Sequence, residues 1–183
     1  MRKTIILIDG PRGVGKDAVI NELIRRGGDT FKYIPSYSTR TMRPGERNGA
    51  THWFISEEEF KRKLETGDIF EYEIWESTYR GMSKKVIDDI LQDGYIGLKT
   101  VGPDGVKILR NKYGEGVLSI FITTKREILI KRLQKLGAPD IDGRMKDYEH
   151  RHNYSHLADH IVENNATLED VIVKIQNIIK EYT

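Results

Sequence analysis

The chain has 183 residues, 38% of them apolar, with 30 Lys and Arg against 28 Asp and Glu and a net charge of +2. That length suits one domain with small lobes and is too short for two independent cores. Cysteine is absent, which excludes disulfides, thiolate metal sites and thiol nucleophiles, while the balanced charge gives no general nucleic-acid footprint. The longest apolar run, Ile5 to Ile8, is far below the ~18 residues of a membrane span. With no signal-type segment either, the expected setting is the cytoplasm, with neither membrane nor nucleic acid as a partner.

In chain order, Lys3 to Asp9 is a β-branched-rich run halted by Gly10 and Pro11, the pattern of a central strand buried on both faces of a parallel sheet. Ala18, Val19, Ile20, Leu23 and Ile24 then recur at helical spacing up to Gly27 and Gly28. Between Ser36 and Ser83 the sequence becomes short-patterned, aromatic and Arg-rich, which reads as an inserted lobe. Val86, Ile87, Ile90 and Leu91 form another helical stripe ending at Gly94, and Tyr95 to Val101 and Val117 to Ile122 read as buried strands. Ser56 with Glu59, Thr124 with Glu127, and Thr167 with Asp170 place a hydroxyl three residues before an acid, so a helix is expected to start at each. Alternating helices and strands argue for an α/β layered fold around a parallel sheet.

Gly10, Pro11, Arg12, Gly13, Val14, Gly15 and Lys16 fit G-x-x-x-x-G-K between that strand and that helix, the context a phosphate-binding loop requires. With Asp17 and Ala18 at the helix start they form the expected ATP site. Backbone N–H groups would face one phosphate chain while Lys16 supplies a mobile charge. Asp17 stands where Ser or Thr usually serves Mg²⁺. A carboxylate is also a hard oxygen ligand, so Asp17 is either the metal ligand or an acid favoured by the helix dipole.

Residues 36–54, S-Y-S-T-R-T-M-R-P-G-E-R-N-G-A-T-H-W-F, resemble the guanylate kinase family and its S-x-x-T-R-x-x-R-x-G-E-x-x-G segment. The resemblance continues through residues 69–72, 79–81, Arg132 with Leu133, and residues 159–164. It implies a P-loop NTPase three-layer fold with a central parallel sheet. One domain would span 1–183, with a core of 1–35 and 84–183, an acceptor-binding lobe at 36–83 and a lid at 137–149. It further implies that Ser36 and Glu71 face the acceptor base, that Arg40 and Arg43 grip its phosphate, and that Arg132 and Arg144 are lid arginines closing on the transferred group. Lys16, Arg43, Arg132 and Arg144 are then the expected catalytic cations, ATP and Mg²⁺ the expected cosubstrate and cofactor, and a monomer or homodimer the expected assembly. His52 and Arg80 stand where the family has two tyrosines at the acceptor phosphate, Met82 where it has Ser or Thr near the base, and Thr100 and Gly102 where it has a pair of strand acids.

The expected reaction is phosphoryl transfer from ATP to a nucleoside monophosphate, GMP or dGMP first. A Lys-Asp loop ending without strand acids is also similar to ribose 1,5-bisphosphate phosphokinases. Another phosphorylated acceptor, including a modified deoxynucleotide, is therefore the rival, and a non-catalytic guanylate-kinase-like binding module is a second. Elsewhere, His152, His156 and His160 at four-residue steps would share one face of a helix, read as packing or surface histidines rather than metal ligands. Lys131, Arg132 and Lys135 read as a solvated helix face without the family, and Tyr72 and Trp75 as core filling rather than base stacking.

Overall fold

In a computed structural model of the chain, residues 4–75 and 77–183 are described, the side chain of Trp75 excepted. Met1 to Lys3, the start of the first expected strand, and the Trp75 ring lie outside the described residues.

The run after Thr4 forms β1 (Ile5–Asp9), every residue of it buried. It occupies the middle of a five-stranded sheet. On one side it pairs in parallel with β7 (Ile96–Thr100), which pairs with β2 (Phe31–Tyr33). On the other it pairs in parallel with β8 (Val117–Thr123), which pairs with β9 (His160–Glu163). Successive side chains of β1 face opposite sides and both sides are covered, so Ile5 to Ile8 are all apolar and only the terminal Asp9 is charged. Ile6 and Ile8 pack with residues of α1 (Lys16–Gly27), α5 (Arg126–Lys135) and α7 (Leu168–Tyr182), whereas Ile5 and Leu7 pack with residues of α3 (Lys84–Gln92) and α4 (Pro103–Tyr113). Helices therefore cover both faces of a parallel sheet. No helix among the described residues is long and apolar enough to cross a membrane.

Between β2 and α3 the chain builds a second sheet. β3 (Ser36–Ser38) runs parallel to β4 (His52–Phe54) and antiparallel to β6 (Thr78–Ser83), which pairs with β5 (Ile69–Trp75). α2 (Glu57–Glu65) packs on it through Phe60. Tyr72 is 48% exposed and caps the rings of Phe60 and Tyr79 from outside, so it does not fill the core as expected. Met82, the register partner of Glu71, packs into the main core with Ile5 and Leu7.

The caps at Ser56 and Thr167 form as expected, Thr167 with a reciprocal capping box to Asp170. Thr124 does not cap α5, which starts after Lys125. Its hydroxyl instead donates to Asn165 Oδ1 at 3.1 Å, an oxygen that also accepts the Lys125 N–H. α4 begins at Pro103, whose missing N–H costs nothing in a first turn; neither it nor α6 (Ile141–His152) is announced by a strong apolar stripe.

The three histidines do not share a helix. His152 ends α6, His156 lies in the 3-10 turn Ser155–Leu157, and His160 opens β9. His152 packs between Tyr148 and Phe121 with Nε2 2.7 Å from Thr123 Oγ1, a core role.

Candidate active site

Beyond β1 the chain turns through positive φ at Gly10, Gly13 and Gly15 before α1 begins at Lys16. At Gly10 a Cβ would lie 2.1 Å from the Ile122 carbonyl oxygen, so only glycine lets the loop pass that close to β8. Val14 anchors the loop in the core, and its carbonyl accepts from Asn164 Nδ2 at 2.8 Å. Lys16 curls back over the loop and donates to the carbonyls of Gly10 and Pro11 at 2.6 and 2.9 Å. Burial, and then the neighbouring Arg151 charge, push its pKa down, against the pull of Asp9, Asp17 and Asp147. A cation so poorly solvated gains strongly from an arriving anion. The loop thus offers a concave backbone with one under-solvated ammonium, which fits a polyphosphate chain.

α6 is docked on this loop. Asp147 accepts the Arg12 N–H at 2.8 Å, and Arg151 bridges Asp147 to Asp9, donating to Asp9 Oδ1 at 2.9 Å. Asp9 is buried, and desolvation raises its pKa despite the Gly10 N–H and Arg151. A Cβ at Gly102 would meet Arg151 Nη1 at 2.8 Å. The absence of a side chain there therefore makes the room that Arg151 uses. Thr100, at the other position read as a missing acid, bonds to the Tyr33 hydroxyl at 3.2 Å.

The four expected catalytic cations stand on four separate segments, and three of the side chains are engaged locally. Lys16 holds its own loop, Arg132 on α5 donates to the carbonyls of Asn164 and Ala166, and Arg144 on α6 donates to the Pro139 carbonyl. Arg43 lies exposed in the loop after β3, its backbone N–H donating to Glu46. Asp17 is exposed in the first turn of α1, its charge felt by Tyr33. Among the described residues no group of three His, Asp or Glu could cage a metal. A lone exposed carboxylate at the head of the helix, as Asp17 is, has the chemistry to share an otherwise hydrated Mg²⁺ with substrate phosphates.

The acceptor-side candidates converge in the second sheet. Arg40 forms a two-toothed pair with Glu46, Nη1 to Oε2 at 2.8 Å and Nη2 to Oε1 at 2.6 Å, and lies 4.9 Å over the Phe54 ring. The Arg40 bond holds Glu46 down to about 2, so this half-buried acid stays ionised and aims Arg40. Ser36 on β3 and His52 on β4 are register partners. Burial, then Arg40, Arg80 and Lys99, push His52 down to about 4, so it is neutral at pH 7 and adds hydrogen bonds but no charge. Arg80 on β6 is half-buried, with no hydrogen-bond partner for Nε among the described residues. Glu71 on β5 is half-buried, and desolvation followed by Glu73 raises its pKa while Lys99 counters.

Asp9, Glu46, Lys99, Asp147 and Arg151 were not among the expected site residues. Lys99 had a signal, since a charge inside the otherwise apolar run 96–101 needs a purpose. Asp147 and Arg151, four apart on a helix, looked like an ordinary surface pair.

Comparison with known proteins agrees with this geometry. The family described as guanylate kinase matches residues 1–182. Guanylate kinase from Prochlorococcus marinus is 29% identical, with 97% of both chains covered. A rice protein described as guanylate kinase 2, chloroplastic/mitochondrial, is 30% identical over 96% of this chain, which spans 63% of the rice protein's length. The crystal structure of guanylate kinase from Anaplasma phagocytophilum superposes with a TM-score of 0.74 at 23% identity, covering 97% of this chain and 85% of that one. With its fold, its glycine loop and its match along nearly the whole sequence, this chain belongs to the guanylate kinase family.

Proposed function

We propose that the chain phosphorylates GMP, and dGMP, with ATP and Mg²⁺ in the cytoplasm. One observation carries this reading: a glycine loop closed over by Lys16 and, on a second sheet, the polar set Ser36, Arg40 and Glu71 occur in one chain. A kinase that joins two phosphorylated substrates needs two anion sites. Glu71 presents a carboxylate to the base, and guanine offers N1–H and an exocyclic amine that a carboxylate can accept together. A sugar bisphosphate would leave that half-buried acid unused, and a mere binding module would have no need of the Lys16 cradle.

In the reaction an acceptor phosphate oxygen forms the new bond to the γ-phosphorus as its bond to the ADP oxygen breaks. The chain supplies no nucleophile. Its work is placement and neutralisation of charge on the transferring oxygens. Lys16 would leave the Gly10 and Pro11 carbonyls for the phosphates, Arg43 would reach from the acceptor side, and Arg132 and Arg144 would release their carbonyls to meet the transferred group. Arg40, held by Glu46, and Arg80 would hold the acceptor phosphate, with neutral His52 as a hydrogen-bonding neighbour. Asp17 would hold Mg²⁺, directly or through water, and the metal would supply neutralisation of phosphate charge.

The direct test is ADP release with each common ribo- and deoxynucleoside monophosphate and with ribose 1,5-bisphosphate. GMP and dGMP are expected to be turned over best; preference for the sugar bisphosphate, or no turnover with GMP, overturns the reading. Asp17→Asn is expected to raise the Mg²⁺ concentration for half-maximal rate several-fold while leaving metal-free ATP binding, measured by calorimetry, nearly unchanged. An unaltered Mg²⁺ titration reduces Asp17 to a helix-start acid.

A further inference from the structure

Lys99 is a charged residue sealed inside the protein at the junction of the two sheets, 4% exposed on β7. Its ammonium has three N–H donors. One goes to the Ile34 carbonyl at 3.1 Å, on the link from the main sheet to β3, and one to Ser36 Oγ at 2.7 Å. The second bond decides what Ser36 can do. A hydroxyl that accepts from a cation cannot point its own proton there, and is a stronger donor elsewhere. Among the described residues Ser36 Oγ has no other hydrogen-bond partner, so its proton is left for a ligand. Glu71 feels the same ammonium, so one buried cation has a hydroxyl donor and a carboxylate acceptor beside it.

We propose that Lys99 is a positioning residue for base selection: by donating to Ser36 Oγ it fixes the Ser36 hydroxyl as a donor to a keto oxygen of the acceptor base and disfavours an exocyclic amine at that place. The idea rests on guanine being the acceptor base. Guanine shows a keto oxygen beside N1–H on the edge where its amine and N1–H would meet Glu71. Adenine shows an amine in place of that oxygen, which would set N–H groups against the Ser36 proton and the nearby ammonium. Rejection then comes from a repulsive element built into the pocket as well as from a missing attraction.

The test is a kinetic cycle on the full chain with Lys99→Met, Ser36→Ala and the double variant, each with GMP, AMP and ATP. Lys99→Met is expected to raise the KM for GMP about tenfold and to narrow the GMP over AMP preference, with kcat and the KM for ATP within about twofold. In the Ser36→Ala background, at a pH above the Glu71 titration, the same change is expected to matter less than about twofold, because its route to the base through Ser36 is already gone. Lys99→Gln, which keeps an N–H for Ser36, is expected to recover most of the loss. Effects that multiply in the double variant, or a parallel collapse of kcat and ATP affinity in both Lys99 variants, overturn the inference and make Lys99 a structural tie. Wild-type protein inert towards GMP overturns the guanine reading, and this inference with it; wild-type activity with a multiplicative cycle removes this inference alone.

Discussion

Lys16→Ala is expected to lower kcat/KM for ATP by two to four decades, a loss of roughly 3–5 kcal/mol in transition-state stabilisation. The size follows from where the ammonium sits. It is largely desolvated, beside Arg151, and held by the neutral carbonyls of Gly10 and Pro11. Exchange of two neutral acceptors for phosphate oxygens that gain charge during transfer is favourable, and more so as the reaction proceeds. The fold should survive, because Val14 is anchored in the core and Asn164 holds its carbonyl without help from Lys16. Steady-state kinetics beside a thermal melt separates the two effects. Turnover within tenfold of wild type would mean the loop's backbone and arginines suffice, and Lys16 merely closes its own loop.

How far the sequence revealed this molecule depends on the range of each interaction. β1, the glycine loop and α1 are set by neighbours in the chain: an apolar run, glycines at fixed spacing, a helical stripe. They appear where expected. The Thr124 cap failed because a local signal met a distant competitor, Asn165, which takes both the hydroxyl and the Lys125 N–H. The three histidines do not line one helix face, because spacing of four means one face only while a helix continues and α6 stops at His152; they are packing or surface residues, His152 packed and His156 and His160 exposed. Met82 and Lys99 are placed by contacts of the same distant kind. β6 aims Met82 into the main core, whereas β7 delivers Lys99 from a strand otherwise read as buried filling to Ser36 in the other sheet. No spacing rule within either segment contains that contact, 63 residues apart in sequence.

The docking of α6 shows the same limit on a larger scale. Asp147 and Arg151 are an i, i+4 pair, usually a weak surface ornament. Here the pair ties Asp9 and the Arg12 amide to α6 across more than 130 residues, which couples the segment carrying Arg144 to the loop carrying Lys16. The charge on the acceptor side is also less than a residue count implies. Glu46 offsets Arg40, and His52 is uncharged at neutral pH, so the positive charge there rests on Arg80, Arg43 and the buried Lys99.

Glu71→Gln is expected to cost GMP about two to three decades in kcat/KM, roughly 3–4 kcal/mol, and to leave ATP binding intact. The carboxylate accepts two guanine N–H groups, whereas the amide accepts one and opposes the other with its own N–H, leaving buried donors facing each other. AMP and pyrimidine monophosphates have no such pair to lose, so their rates should change little and selectivity should collapse towards parity. A pH dependence follows with a definite sign. Burial and Glu73 hold the Glu71 pKa above the ordinary value of 4.5, with the Lys99 charge opposing the rise. The acid is the non-binding form, so the KM for GMP should climb as pH falls through that raised pKa, at higher pH than an exposed carboxylate would show. The climb should vanish in Glu71→Gln, which cannot titrate, and should shift to still higher pH in Lys99→Met, where the opposing charge is gone. A KM profile for GMP that is flat from pH 8 down through the ordinary carboxylate range in the wild type, together with an unchanged guanine preference in Glu71→Gln, would mean that Glu71 is a strand acid beside the pocket and that the base is read elsewhere.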